Sequence, residues 1–269
     1  MPVDMAALAA DLAAESAVTR ALVAGLDEPT WRTPTPAVGW DIADQIGHLA
    51  YFDEAAVRSA VRPDEFRDEL AAAAASGDLD ADTIAARYRD RSGAQMLAWF
   101  DTARADLLQT FTTLDPRQRL PWFGPPMSAA SSLTARLMET WAHTQDIADV
   151  LGVTREPTGR LRHVAHIGIG ARAYSYAARG QAPPDVPVRV ELSGPDGTLW
   201  TWGPPDARNR VTGTALDFCL LVTQRRHRDD LDLSVDGPAA REWMAIAQAF
   251  AGPPGPGRAP AGAAGSASR

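Results

Sequence analysis

The sequence predicts a mostly α protein, a four-helix bundle followed by a small α+β domain, and three observations carry that prediction. Apolar residues recur at helical spacing through roughly the first 180 positions. After Ala182-Pro183-Pro184 the pattern becomes strand-like, in VPVRVEL and TLWTWG. The chain has 269 residues, 45 % of them apolar, enough for one large domain or two ordinary ones with a sizeable core.

The first helix is expected from about Asp4 to Leu26, because Leu8, Leu12, Leu22, Val23 and Leu26 share a face. Pro34 and Pro36 punctuate a loop. The next helix opens at Asp41, a good N-cap, with Asp44 in the first turn where the helix dipole favours negative charge. Its apolar stripe is Ile42, Ile46, Leu49 and Val57. A shorter helix is expected over Pro63–Ala75, and a long one from about Ala81 to Leu114 with Phe100, Ala103, Leu107, Phe111 and Leu114 as its later stripe. The loop LPWFGPPM ends it, and Ser128 is placed to cap a helix running to Leu151. Thr158 can cap one more, ending near Gly180.

VPVRVEL and TLWTWG, joined by the turn residues SGPDG, form a predicted hairpin. Residues 213–226 read as an amphipathic helix, LDLSV as a strand, and 238–251 as a last helix. The expected division is residues 1–155 for the bundle and 156–252 for the α+β domain with its connecting helix. Residues 253–269 are expected to be a disordered tail, since GPPGPGRAPAGAAGSASR has too little to bury.

Composition excludes several function classes. The net charge of −8 argues against a nucleic-acid partner and against an anionic membrane surface. All 26 basic residues are arginine, which removes Schiff-base and Walker-type lysine chemistry and is typical of GC-rich bacterial coding sequence. The single cysteine, Cys219, cannot form an intramolecular disulfide, so a reducing cytoplasm is the expected compartment. The N-terminus begins Met-Pro and carries Asp4, Asp11 and Glu15 before any basic residue, unlike the positive start expected of a signal peptide. No stretch has a membrane-spanning run of apolar residues. The expected partner is a small-molecule substrate, bound by a monomer or homodimer.

Helix bundles place metal and cofactor sites between facing helices. Glu139 and His143 are four apart on the Ser128 helix and point the same way, with Asp146 on the same ridge. Asp41, Gln45, His48 and Phe52 form a ridge on the Asp41 helix. Two histidines and one glutamate make a ligand set for zinc or a similar first-row ion, leaving a position for water or substrate. Spacing alone leaves this open, because a helical histidine such as His48 also serves as a hydrogen-bonded interhelical residue.

The segment TPAVGWDIADQIGHLAYFDE resembles the second-helix signature of the DinB-like metalloprotein superfamily. More narrowly it resembles mycothiol-dependent maleylpyruvate isomerase relatives, where a Gly-Trp precedes the metal histidine. METWAHTQDIADVLG is similar to the partner signature of that branch, a Glu, then His four later, then Asp three later. The resemblance implies a DinB-like bundle in which His48, Glu139 and His143 are the metal ligands. DinB proteins outside the branch usually carry a histidine where this chain has Glu139. Most of the chain is covered, since the branch also carries a C-terminal α+β domain. LPWFGPPMS and LDFCLLVTQRRHR resemble a subgroup of metal-binding proteins with no generally assigned activity.

The resemblance further implies one divalent metal, best suited to zinc although nickel, iron or manganese fit the same donors, and mycothiol as cofactor or co-substrate. The metal would lower the thiol pKa, giving isomerisation or S-transfer on a small acidic or electrophilic metabolite. A thiol-independent hydrolase, lyase or cyclase, or a non-catalytic metal-binding protein, is compatible with the same site.

Other residues have both a functional and a structural reading. Asp146 can orient His143 through its remaining ring nitrogen or fix a substrate cation, or it can sit on a solvated face. Arg91 is placed to neutralise buried Glu15 or Asp53, while the functional reading makes Glu15 a general base and Arg91 an anion clamp beside the metal. Arg225 and Arg226, in the run Gln224-Arg225-Arg226-His227-Arg228, suit a helix C-terminus, while the resemblance implies that a C-terminal-domain arginine binds the substrate or thiol. Trp40, Trp122, Phe123 and Trp141 can wall a pocket or pack in the core. His163 and His166 read as structural, and Cys219 as a buried core thiol.

Overall fold

The computed structural model describes residues 3–77, 80–255 and 257–262. The chain forms two compact units, Met1–Arg155 and Glu156–Arg269. No helix among the described residues is long and apolar enough to cross a membrane.

The first unit begins with α1 (Met5–Val23), capped by Asp4, whose carboxylate accepts from the backbone N–H of Ala6 and Ala7. After the short α2 (Glu28–Trp31), α3 (Ile42–Val61) opens with a reciprocal capping box between Asp41 and Asp44. Satisfying two otherwise orphaned N–H groups stabilises that end by about 1 kcal/mol. α4 (Pro63–Ser76) starts on a proline and ends at Gly77. Next come α5 (Ala81–Ala86), α6 (Gly93–Phe111), the two-residue strands β1 (Arg119–Leu120) and β2 (Met127–Ser128), and α7 (Ala129–Val150), capped by Ser128.

α1 packs on α7, α7 on α3, α3 on α6 and α6 on α1, closing the four-helix bundle. Val23, Trp31, Ile42, Ile46, Leu49, Met96, Phe100 and Ile147 are among its buried core residues. The apolar stripe of α3 is as expected at Ile42, Ile46 and Leu49, whereas Val57 is only half-buried and Asp53 is wholly buried.

The helix expected from Ala81 to Leu114 is two helices. Ser92 and Gln95 cap α6 reciprocally, and Gly93 lies so close to Trp31 that a Cβ there would meet the indole at 2.3 Å. The periodicity runs through the break because Ile84 and Met96 are both buried. LPWFGPPM is the turn of the β1–β2 ladder, with Arg119 opposite Ser128 and Leu120 opposite Met127.

The second unit starts with α8 (Leu161–Gly170) and α9 (Arg172–Ala177), where one helix was expected. Thr158 does not cap α8 through its side chain. Its carbonyl accepts from Leu161 N–H at 3.1 Å, and the helix starts from Arg160. β3 (Val188–Ser193) and β4 (Leu199–Trp202) form the expected hairpin. β5 (Asn209–Thr214) pairs parallel to β3 and was not anticipated. α10 (Ala215–Val222), a 3-10 turn at Arg228–Asp230, β6 (Leu233–Asp236) and α11 (Pro238–Ile246) complete the unit, with sheet order β4-β3-β5-β6. α10 packs on α8, β3 and β5, and α11 on α9, β5 and β6.

Within the C-terminal segment expected to be disordered, Ala261 N–H donates to the Asp230 carboxylate at 3.0 Å. Pro256 and residues 263–269 lie outside the described residues.

Candidate metal centre

α3 and α7 pack face to face, and their inward ridges bring together His48, Glu139 and His143. Glu139 Oε2 lies 3.1 Å from His143 Nε2 and 3.5 Å from His48 Nε2. One ligand atom from each residue lies within 4.8 Å of the others. Ligand bonds of about 2.1 Å around a tetrahedral ion put neighbouring donors about 3.4 Å apart. The two imidazole nitrogens and the carboxylate oxygen therefore fit a zinc-like ion, with at least one coordination position unfilled by protein.

The orientation of His143 is set from α3. Its Nδ1–H donates to Gln45 Oε1. Gln45 in turn donates through Nε2 to Thr35 Oγ1 at 2.8 Å, and Thr35 donates to the Trp40 carbonyl at 2.9 Å. Because the Thr35 proton is committed to Trp40, its oxygen must accept from Gln45, and the Gln45 carbonyl must face His143. Nε2 is thus the ring nitrogen left for Glu139 or a metal.

Electrostatics favour a neutral His48 and an ionised Glu139, two of the states that ligation needs. Burial pushes the His48 imidazolium down to about 4, and the nearby His143 adds to this while Glu139 opposes it. For Glu139 burial acts upward, but the hydrogen bonds and charge of His143 and His48 outweigh it and hold the carboxyl well below its ordinary range.

Trp40 forms one wall. Its ring stacks on His143 with centroids 5.9 Å apart and lies 5.3 Å from His48. Gly39 adopts φ +82°, a turn that a residue with a Cβ resists, and delivers Trp40 to this position. Asp82 of α5 accepts from the Trp40 indole N–H at 2.6 Å. Phe52 forms the other wall, 4.6 Å from His48, and is backed by Phe123 at 5.1 Å and Trp122 at 6.2 Å.

The remaining sequence candidates fall elsewhere. Arg91 pairs with neither Glu15 nor Asp53; its guanidinium lies over the rings of Trp99 and Tyr88, 4.3 and 4.9 Å from their centroids. The break between α5 and α6 removes it from the inward helix face on which its pairing was predicated. Glu15 is buried and bonded to Arg155. Asp53 is bonded to Arg104 and Arg136. Asp146 is buried, not on a solvated face, and Gln45 occupies the His143 nitrogen it was suited to. Trp141, two residues beyond Glu139 and so about 200° around α7, packs under Arg155 at 5.5 Å.

In the second unit, Arg225 and Arg226 follow α10, and their backbone N–H groups return to the Leu220 carbonyl. Each also donates to a nearby carbonyl, Arg225 to Thr223 and Arg226 to Arg225. His166 Nδ1 accepts from the Trp202 indole at 3.3 Å. Cys219 is buried, donates to the Leu161 carbonyl, and burial pushes its thiol well above the usual range. Among the described residues, His48, Glu139 and His143 form the one cluster of three or more His, Cys, Asp or Glu groups able to share an ion.

Sequence reasoning assigned no role to Gln45, Asp82, Arg104, Arg136 or Arg155. Three of them left a trace: Gln45 precedes His48 by three on the ridge of α3, Arg136 precedes Glu139 by three on one face of α7, and Arg104 interrupts the stripe of Phe100, Leu107 and Phe111. Arg155 lies beyond the helix and left none.

Residues 12–148 match the family described as mycothiol maleylpyruvate isomerase N-terminal domain, and residues 184–234 match one described as wyosine base formation. Two uncharacterised proteins of Mycobacterium tuberculosis, from strains CDC 1551 / Oshkosh and ATCC 25618 / H37Rv, are 49 % identical over 249 residues. The match spans 93 % of this chain and 97 % of each of theirs. Crystal structures of mycothiol-dependent maleylpyruvate isomerase and of its histidine-to-alanine mutant match with TM-scores of 0.56 and 0.57. Both are 15 % identical, over 88 % of this chain and 96 % of theirs, a likeness of fold.

Proposed function

Since the chain belongs to the family of the mycothiol maleylpyruvate isomerase N-terminal domain, we propose that it is a metal-dependent enzyme using mycothiol as cofactor or co-substrate. Its reaction is isomerisation or S-transfer on a small acidic or electrophilic metabolite. The observation that carries this reading is the convergence of His48, Glu139 and His143 on one point between α3 and α7. Three protein donors leave room for a further ligand, the arrangement of catalytic rather than structural zinc sites.

A divalent ion bound there supplies a thiol pKa low enough for a thiolate to persist near neutral pH. The residues of this chain do the rest. Gln45 keeps Nε2 of His143 pointed at the site. Glu139, held ionised, contributes the negative charge of the donor set. Trp40 and Phe52 present apolar faces on either side of the histidines, limiting water around a nucleophile. Asp82 keeps the Trp40 ring in place.

The test is the visible spectrum of the cobalt-substituted full chain, recorded before and after addition of mycothiol. A new sulfur-to-cobalt charge-transfer band is the expected result. An unchanged spectrum would support a closed, non-catalytic site, and metal-dependent turnover without any thiol would support hydrolase, lyase or cyclase chemistry instead.

A further inference from the structure

We propose that Arg136 is the carboxylate anchor of the metal site, receiving the acid group of a small substrate through Nη1; this rests on the reading above. Arg104, Arg136 and Asp53 form a buried network with side-chain exposures of 4, 3 and 0 %. Two guanidiniums therefore share one carboxylate. The adjacent buried carboxylate, Glu15, is bonded to a third arginine, Arg155.

The two arginines differ in how fully they are used. Arg104 donates through Nε to Asp53 at 2.6 Å, through Nη1 to Ser16 Oγ and through Nη2 to Thr140 Oγ1 at 3.0 Å. Arg136 donates through Nε to Asp53 at 2.9 Å and through Nη2 to the Leu49 carbonyl at 3.2 Å. Its Nη1 has no acceptor on the protein among the described residues. The side chain is thus immobilised by two bonds and keeps one nitrogen in reserve.

Its position is that of a neighbour to the ligands. Arg136, Glu139 and His143 lie at i, i+3 and i+7, on one face of α7. The guanidinium carbon is 5.9 Å from the ring centroid of Phe52, whose ring is 4.6 Å from that of His48. Three residues of helix correspond to about 4.5 Å along the axis. That offset suits an acid whose carboxylate is a few bonds from the atom at the metal. A fixed guanidinium is matched to a carboxylate in both charge and hydrogen-bond geometry.

The test uses succinate as the probe, titrated calorimetrically into the zinc-loaded and the metal-free full chain, wild type and Arg136→Gln. Zinc content and circular dichroism are measured on the same samples. The expected result is that Arg136→Gln stays folded, keeps its zinc and binds succinate about tenfold to a hundredfold more weakly, the effect of losing a charge-assisted pair. Arg136→Lys should fall between. Unchanged affinity in a folded Arg136→Gln, or no succinate binding by either wild-type form, would overturn the proposal. Wild type that binds no zinc would overturn the metal reading alone, since the metal-free titration still reports on Arg136. Should both variants fail to fold, wild-type crystals soaked with succinate decide: a carboxylate on Arg136 Nη1 supports the anchor, and a carboxylate elsewhere refutes it.

Discussion

Gln45 accepts the Nδ1 proton of His143 from the facing helix, and its own amide is held in that sense by Thr35. A residue of α3 thereby selects which nitrogen of a histidine on α7 is available to the site. This makes the interhelical contact part of the ligand set. Replacing Gln45 by Leu should leave the bundle folded and lower zinc affinity about tenfold to a hundredfold, the usual effect of losing such a partner. Competition with a chromophoric chelator measures it. An affinity equal to wild type would mean that packing alone orients the ring.

The donor set itself predicts stoichiometry. Wild type reconstituted with zinc should hold about one ion per chain, while His48→Ala and Glu139→Ala should each lose most of it. Elemental analysis after gel filtration gives the number, and far-ultraviolet circular dichroism checks that the helices remain. Stoichiometric metal in either variant would place the ion elsewhere.

Part of this site is legible in the sequence. The i, i+4 spacing of Glu139 and His143 fixes their shared direction, because a helix has one geometry, and the bundle follows from apolar stripes such as Ile42, Ile46 and Leu49. What spacing does not encode is pairing between helices. Arg91 fitted Glu15 and Asp53 on charge, yet Arg155, Arg104 and Arg136 take those partners, because the chain turns between α5 and α6. β5 was equally hidden, since NRVTGT is polar, ends beside a helix cap and becomes a strand only when β3 and β6 flank it.

Acid should destabilise the metal-free protein. Unfolded, His48 takes up a proton near 6.5; folded, it does so only near about 4. The unfolded state therefore binds more protons between those values, and stability falls as pH drops from 6.5 towards 4. The full effect is on the order of 3 kcal/mol for this group. Urea midpoints of the chelator-treated chain at pH 7 and pH 4.5 test it against His48→Gln, in which the decline should be smaller. An equal decline in both would assign the acid sensitivity to the carboxylates.

Cys219 should be inert while the protein is folded. Its thiol is buried and held well above the usual range, so almost no thiolate exists at pH 8. Ellman's reagent should detect no thiol in native protein and about one per chain in guanidinium. Rapid native reaction would show that the second unit opens around α10.

Asp53 should be the most costly carboxylate in the bundle to remove. It accepts from Arg104 at 2.6 Å and from Arg136 at 2.9 Å, and its burial is complete. Asp53→Ala leaves two guanidiniums facing each other in the interior, a loss of about 3–5 kcal/mol in urea unfolding. The penalty comes from the stranded charges more than from the missing bonds. Arg104→Met should therefore recover part of it when added to Asp53→Ala, although Arg104→Met alone is destabilising. A double variant equal to the sum of the two single losses would mean that the three residues do not act as a charge network, and that Asp53 is needed only for its packing.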